Sequence, residues 1–136
     1  MEDAQSTSPD VPPRPQLEHT RIAAEARRQM ASFHAPVVAE VRDAVNKDPL
    51  VVVGMAQNPH VRNLRRALAE AQIPYTYLEY GSYVSKWKER LAIKLWSGWP
   101  TFPQVFVRGV LLGGEALTLP VIADGSLKRT LSSESP

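Results

Sequence analysis

The stretch that decides the fold is Ser97-Gly98-Trp99-Pro100-Thr101-Phe102-Pro103-Gln104-Val105-Phe106-Val107-Arg108-Gly109-Val110-Leu111-Leu112-Gly113-Gly114. A proline-framed aromatic turn runs into two short apolar segments, Gln104–Val107 and Val110–Leu112. Arg108-Gly109 between them is a two-residue hairpin signal, because such turns need positive φ angles that glycine supplies without strain. Gly113-Gly114 then opens what reads as a helix over Glu115–Asp124, with Pro120 interrupting or shortening it.

Working upstream, Tyr83–Leu95 reads as a helix with Trp87, Leu91 and Leu95 at helical spacing. Tyr75–Glu79 reads as a strand, and Pro74 as the breaker before it. Asn58 is a good N-cap and Pro59 suits the first helical position, where its missing N–H costs nothing. The helix they start continues to about Gln72 with Val61, Leu64, Ala67, Leu68 and Ala71 inward. Leu50-Val51-Val52-Val53 is a continuous apolar run, β-branched from Val51 on, the mark of a strand covered on both faces. The order is therefore β-α-β-α-β-β-α. The crossover through a helix makes the first strand pair parallel, and the last pair is a hairpin.

Ahead of this core, Leu17–Phe33 favours helix, with Ile22, Ala26, Met30 and Phe33 on one face. Val37, Val38, Val41, Ala44 and Val45 mark a second amphipathic helix, stopped near Asn46-Lys47-Asp48-Pro49. The resulting division is a disordered, proline-rich arm over 1–16, a helical extension over 17–48, the main domain over 49–131 and a polar tail over 132–136.

Composition excludes several classes. The chain has 136 residues, and 16 Lys+Arg against 14 Asp+Glu leave a net charge of +2, no case for nucleic acid. Arg62, Arg65 and Arg66 cluster, but Glu70 begins to balance them, so a solvated helix face is the expected reading. No apolar run is long enough to cross a bilayer, so no membrane association is expected. The start, Met-Glu-Asp, lacks a basic-then-apolar signal, which makes a cytoplasmic location the expectation. Zero cysteines exclude disulfides, thiolate metal sites and a thiol nucleophile belonging to the chain.

The element order and the Trp99-Pro100-Thr101-Phe102-Pro103 and Gly113-Gly114 motifs resemble the glutaredoxin family of the thioredoxin-like fold, especially its monothiol branch, over about Leu50 to Leu131. The resemblance implies an α/β fold with a four-stranded mixed sheet flanked by helices. It implies a cis bond before Pro103, and backbone pairing of Phe102 with glutathione beside Thr101. Gly113 and Gly114 would hold the γ-glutamyl end, with Glu115 where the family often has an aspartate. Arg90 and Lys94, one helical turn apart, fall where monothiol members carry basic residues, and Lys94 would meet the glycine carboxylate; on spacing alone the pair reads equally well as a solvated basic face.

The departure lies at Asn58-Pro59-His60-Val61. The family carries Cys-Pro-Tyr-Cys or Cys-Gly-Phe-Ser here, so Asn58 stands at the nucleophile position and Val61 at the resolving one. An amide can neither form a mixed disulfide nor replace a thiolate on iron, and no iron–sulfur cluster is expected. The lysine that the family places shortly before the cysteine is missing, with Ala56 there, and the long insertion of the monothiol branch is absent. His60 has no evident acidic partner, and His19 and His34 lack metal-ligand spacing; no metal site is expected.

The leading expectation is a redox-inactive binding module for glutathione or a protein or peptide segment, with homo-oligomer formation left open. Two alternatives stand beside it. One is a glutathione-dependent oxidoreductase or transferase in which the substrate brings the sulfur and Asn58 orients it. The other is a structural interaction scaffold.

Overall fold

The computed structural model describes residues 11–133; the outer parts of the expected arm (1–10) and tail (134–136) lie outside the described residues. The described residues divide into two compact units, one ending at Phe33 and one beginning at His34.

In the first unit a single 3-10 turn, His19–Arg21, precedes α1 (Ala24–Ser32). The expected helix from Leu17 is thus shorter. Glu25 sits in its first turn and pairs with Arg28 at 2.7 Å, an exposed contact that stabilises little.

The second unit begins with α2 (Ala35–Lys47), continues through β1 (Leu50–Gly54), α3 (Pro59–Glu70), β2 (Thr76–Glu79), α4 (Trp87–Ser97), β3 (Gln104–Val107), β4 (Val110–Gly113) and α5 (Glu115–Ala123), and ends in α6 (Ser126–Ser132). The sheet order is β2-β1-β3-β4, with β1 parallel to β2 and antiparallel to β3, and β3 antiparallel to β4. The core strands and helices follow the expected order; α6 closes the domain as a separate short helix.

β1 is buried from end to end because it is a central strand with helices on both faces. Its side chains alternate between two cores. Val51 and Val53 join Val41 and Val45 of α2, Ile93 of α4 and Phe106 of β3. Leu50 and Val52 join Leu64 and Leu68 of α3, Val105 of β3 and Leu127 of α6. The hairpin turn takes Arg108 and Gly109 to φ values of 49° and 84°, the two positive angles that a primed turn requires. Arg108 Nη2 donates to the carbonyls of Leu131 (3.0 Å) and Ser133 (3.1 Å), which ties α6 to the sheet.

Three boundaries differ from expectation, each for a local reason. α3 ends four residues before Pro74, in a Schellman cap: Gln72 turns to φ 58°, its N–H donates to the Ala69 carbonyl, and the Ile73 N–H donates to that of Leu68. α5 passes through Pro120 and stops at Ala123; Asp124 Oδ1 then accepts from the Ser126 N–H at 2.8 Å and starts α6. The third is α4, which begins at Trp87 rather than Tyr83, because residues 81–86 form a tight turn with Lys86 in the left-handed region (φ 58°). Its buried residues are Arg90, Ala92 and Ile93, while Trp87 and Leu95 face outward. The apolar spacing that announced the helix therefore marked its outer face.

Candidate functional site

The site forms where α3, α4, α5 and the loop before β3 converge. Asn58 caps α3: its Oδ1 accepts from the N–H groups of His60 (2.8 Å) and Val61 (3.2 Å), two of the donors a helix start leaves unpaired. The residue at the nucleophile position is thus a buried cap, and its acceptor is already committed. Val61 packs in the core beside Met55 and Phe102.

His60 is where the structure overturns the expectation of no acidic partner. Its Nδ1 lies 2.6 Å from Oε1 of Glu115, which spans the N-termini of α3 and α5. The partners are 55 residues apart in the chain, so no spacing rule could have paired them.

The loop Gly98–Pro103 is fixed from both sides. The Ser97 hydroxyl accepts from the Trp99 N–H (3.1 Å), and Gln104 Nε2 donates to the Trp99 carbonyl (3.0 Å). The Phe102–Pro103 peptide is cis. Among the described residues, the main-chain N–H and C=O of Phe102 make no hydrogen bond. Gly114 packs tightly behind this loop: a Cβ there would stand 3.3 Å from the Pro103 carbonyl oxygen and 3.3 Å from Trp99 Nε1. Gly113 has φ 131°, a conformation that favours glycine. Lys94 reaches the same place, with Nζ 5.7 Å from the Phe102 ring centroid.

Lys94, Phe102, Pro103, Gly114, Glu115, His60 and Asn58 thus form one continuous chain of contacts. Thr101 is exposed beside them. Arg90 does not join. It turns inward, and its Nη1 donates to the carbonyls of Tyr80 (2.9 Å) and Ser85 (2.7 Å), so the helical turn shared with Lys94 does not bring the two cations to one place.

Asn58 also lines an open cavity of about 280 Å³, together with Met55, Ala56, Val61, Arg62, Tyr77 and Glu79, among others. The arginines of α3 are not a uniform solvated face: Arg65 lies 3.8 Å over the Tyr77 ring and donates to the Tyr75 hydroxyl at 2.9 Å. Burial, then the hydrogen bond to Glu79, pushes the Tyr77 phenol well above its ordinary range. Among the described residues, no group of three His, Asp or Glu side chains is placed to hold a metal ion.

Comparison with known proteins identifies the lineage. A glutaredoxin-like protein of Dictyostelium discoideum is 44% identical over 103 residues, 76% of this chain and 84% of that one. This chain belongs to the glutaredoxin family. Glutaredoxin 4 of Buchnera aphidicola is 27% identical over 90 residues, covering 64% of this chain and 84% of the relative. The mitochondrial monothiol glutaredoxin-S15 of Arabidopsis thaliana matches at 41% over a shorter stretch, 32% of this chain and 26% of its own. No protein-family model matches. Among solved structures, the buckwheat glutaredoxin–glutathione complex superposes with a TM-score of 0.64 at 22% identity, over 74% of this chain and 92% of that one. Oxidized glutaredoxin 2 of Chlamydomonas reinhardtii gives 0.61 at 24%, over 72% and 92%. The fold is the thioredoxin-like glutaredoxin fold, built without a cysteine.

Proposed function

We propose that this glutaredoxin is a redox-inactive binding module that holds glutathione, or an extended peptide segment like it, along the loop before β3. One observation carries the reading: the main chain of Phe102 keeps both its donor and its acceptor free in a loop held at Trp99 by Ser97 and Gln104. Free backbone groups next to the start of a strand pair with a peptide as an added strand would. Gly113 and Gly114 let the ligand approach the start of α5, where main-chain N–H groups favour a carboxylate. Glu115, whose Oε2 has no partner among the described residues, faces a ligand ammonium, and Lys94 faces a carboxylate at the other end. Exposed Thr101 completes the wall, buried Pro103 holds the turn from inside, and Arg90 acts only by holding the helix that carries Lys94. The absence of cysteine supports a binding role over thiol–disulfide exchange, since a carboxamide cannot supply the attacking thiolate.

Amide NMR with glutathione tests this. The expected result is a shift of the Lys94, Phe102, Gly113, Gly114 and Glu115 resonances with a dissociation constant of about a millimolar or tighter, roughly −4 kcal/mol. No shift of these resonances at several times that concentration would remove the reading. Exchange activity toward a mixed glutathione disulfide above the uncatalysed rate would replace it with an enzymatic one.

A further inference from the structure

Arg90 and Gly81 hold in place a turn whose tip is apolar and points into solvent. Ser82 and Ser85 exchange two backbone hydrogen bonds, each 3.3 Å, and the Ser82 hydroxyl accepts from the Val84 N–H at 3.3 Å. From beneath, Arg90 Nη1 donates to the Ser85 carbonyl. Gly81 has φ 68°, and a Cβ there would sit 2.4 Å from that same carbonyl oxygen. A buried guanidinium is costly unless it is paired. Here its pairing is spent on a surface turn that carries Val84 at 93% exposure, with Tyr83 beside it.

The apolar surface continues along α4. Trp87, Leu91 and Leu95 follow at one-turn intervals, exposed by 59%, 38% and 70%. At about 100° per residue they form a stripe about 80° wide, with Lys94 about 20° outside one edge and Lys88 about 20° outside the other. Glu89, the acid of α4, lies on the far side. Among the described residues, none of Lys86, Lys88 and Lys94 forms an ion pair.

We propose that the turn and the Trp87–Leu91–Leu95 stripe form a docking surface for an amphipathic helix of a partner protein, one whose apolar stripe is bordered by Asp or Glu. Residues three and four apart on facing helices interdigitate along such a seam, and the bracketing lysines select the flanking charge of the partner. A second copy fits less well, because pairing the stripe with itself in antiparallel fashion sets Lys88 beside Lys88 and Lys94 beside Lys94 of the other chain, like charges on both flanks. An anionic membrane fits less well too. Three lysines fall short of the usual cluster of about four to eight, and the stripe is narrower than the ~100° face of an interfacial helix.

The test uses the full chain and two synthetic helices of about three heptads, both with leucine at the seam and with either glutamate or lysine at the flanking positions. The glutamate peptide is expected to bind with a dissociation constant of about 10–100 μM, shifting the amides of Trp87, Leu91 and Leu95, and the lysine peptide at least about tenfold more weakly. Leu95→Glu, at an exposed position, should weaken the glutamate peptide about tenfold, and Lys88→Glu should shift the preference toward the lysine peptide. Retained amide dispersion in both variants separates loss of docking from loss of fold. The proposal is overturned by equal binding of the two peptides, by indifference to Leu95→Glu, or by no glutamate-peptide binding at about a millimolar. Self-association through this face in sedimentation, or stronger binding to phosphatidylcholine vesicles with about 30% phosphatidylserine, would overturn it as well.

Discussion

Replacing Arg90 by methionine separates two roles for this residue. The side-chain length stays similar, but two hydrogen bonds from a cation to the Tyr80 and Ser85 carbonyls are lost. Each such bond contributes about 1.5–3 kcal/mol, so the gross loss is about 3–6 kcal/mol. Two effects reduce it: the methionine no longer has to desolvate a charge, and the exposed Ser85 leaves its carbonyl open to water. The net expectation is about 2–4 kcal/mol. For a unit of this size, thermal unfolding should move down on the order of 10 °C. The assay is thermal and urea unfolding of Arg90→Met, followed on the same sample by glutathione titration. A brace lowers the midpoint and alters resonances over 81–86, while glutathione affinity stays within about threefold, a change below 1 kcal/mol. An unchanged midpoint with a tenfold loss of glutathione affinity would refute the reasoning and make Arg90 a ligand contact. Arg90→Lys should fall between, because one ammonium cannot reproduce the fork geometry.

Asn58→Ala should cost about 1 kcal/mol of stability through loss of the α3 cap, whereas Asn58→Asp keeps the acceptor and should be neutral or stabilising near pH 7. Asn58→Cys should yield a thiol whose pKa is depressed by the helix N-terminus; alkylation that follows an ordinary thiol near pH 8.5 would argue against this geometry. The Tyr80 phenol, raised first by burial and then by its hydrogen bond to Glu40, and that of Tyr77, raised first by burial and then by its bond to Glu79, hold their protons more tightly in the folded state than in the unfolded one. Their contribution is complete below the unfolded value of about 10 and is lost as pH rises above it. Urea midpoints should therefore fall above about pH 10, and less steeply in Tyr80→Phe. An alkaline limb identical in the variant would contradict the assignment.

What could be read along the chain was what neighbours in sequence decide. The alternation of Leu50–Val53 between two cores, the Asn58–Pro59 helix start and the Arg108–Gly109 hairpin each rest on groups a few residues apart. What escaped depends on the packed fold. The His60–Glu115 contact joins residues that only the docking of α3 beside α5 brings together. Periodicity found the stripe on α4 without indicating which side faced the sheet: small Ala92 and β-branched Ile93 fill the space there, and Arg90 is buried because two carbonyls await it. The turn over 81–86 hides a similar ambiguity. Tyr83 and Val84 match a helical pattern, but Gly81 and the serine pair close the backbone before a helix can form.

The two helix starts at the site are not equivalent, and that difference sets how a ligand lies. At α3, Asn58 already occupies the His60 and Val61 N–H groups, so this end offers an anion little. At α5, no side chain caps the first turn, and its glycine entry leaves main-chain donors uncovered. A ligand carboxylate therefore gains most at the α5 end, where the helix dipole acts without a competitor. Glu115 sits in that same first turn and would repel a lone anion, but it attracts a group that carries an ammonium next to its carboxylate. His60 engages one oxygen of Glu115 and leaves the other without a partner among the described residues. On the proposed binding role, the pairing of charges at this end would select an α-amino acid terminus over a simple carboxylate, with backbone and carboxylate groups that need no sulfur.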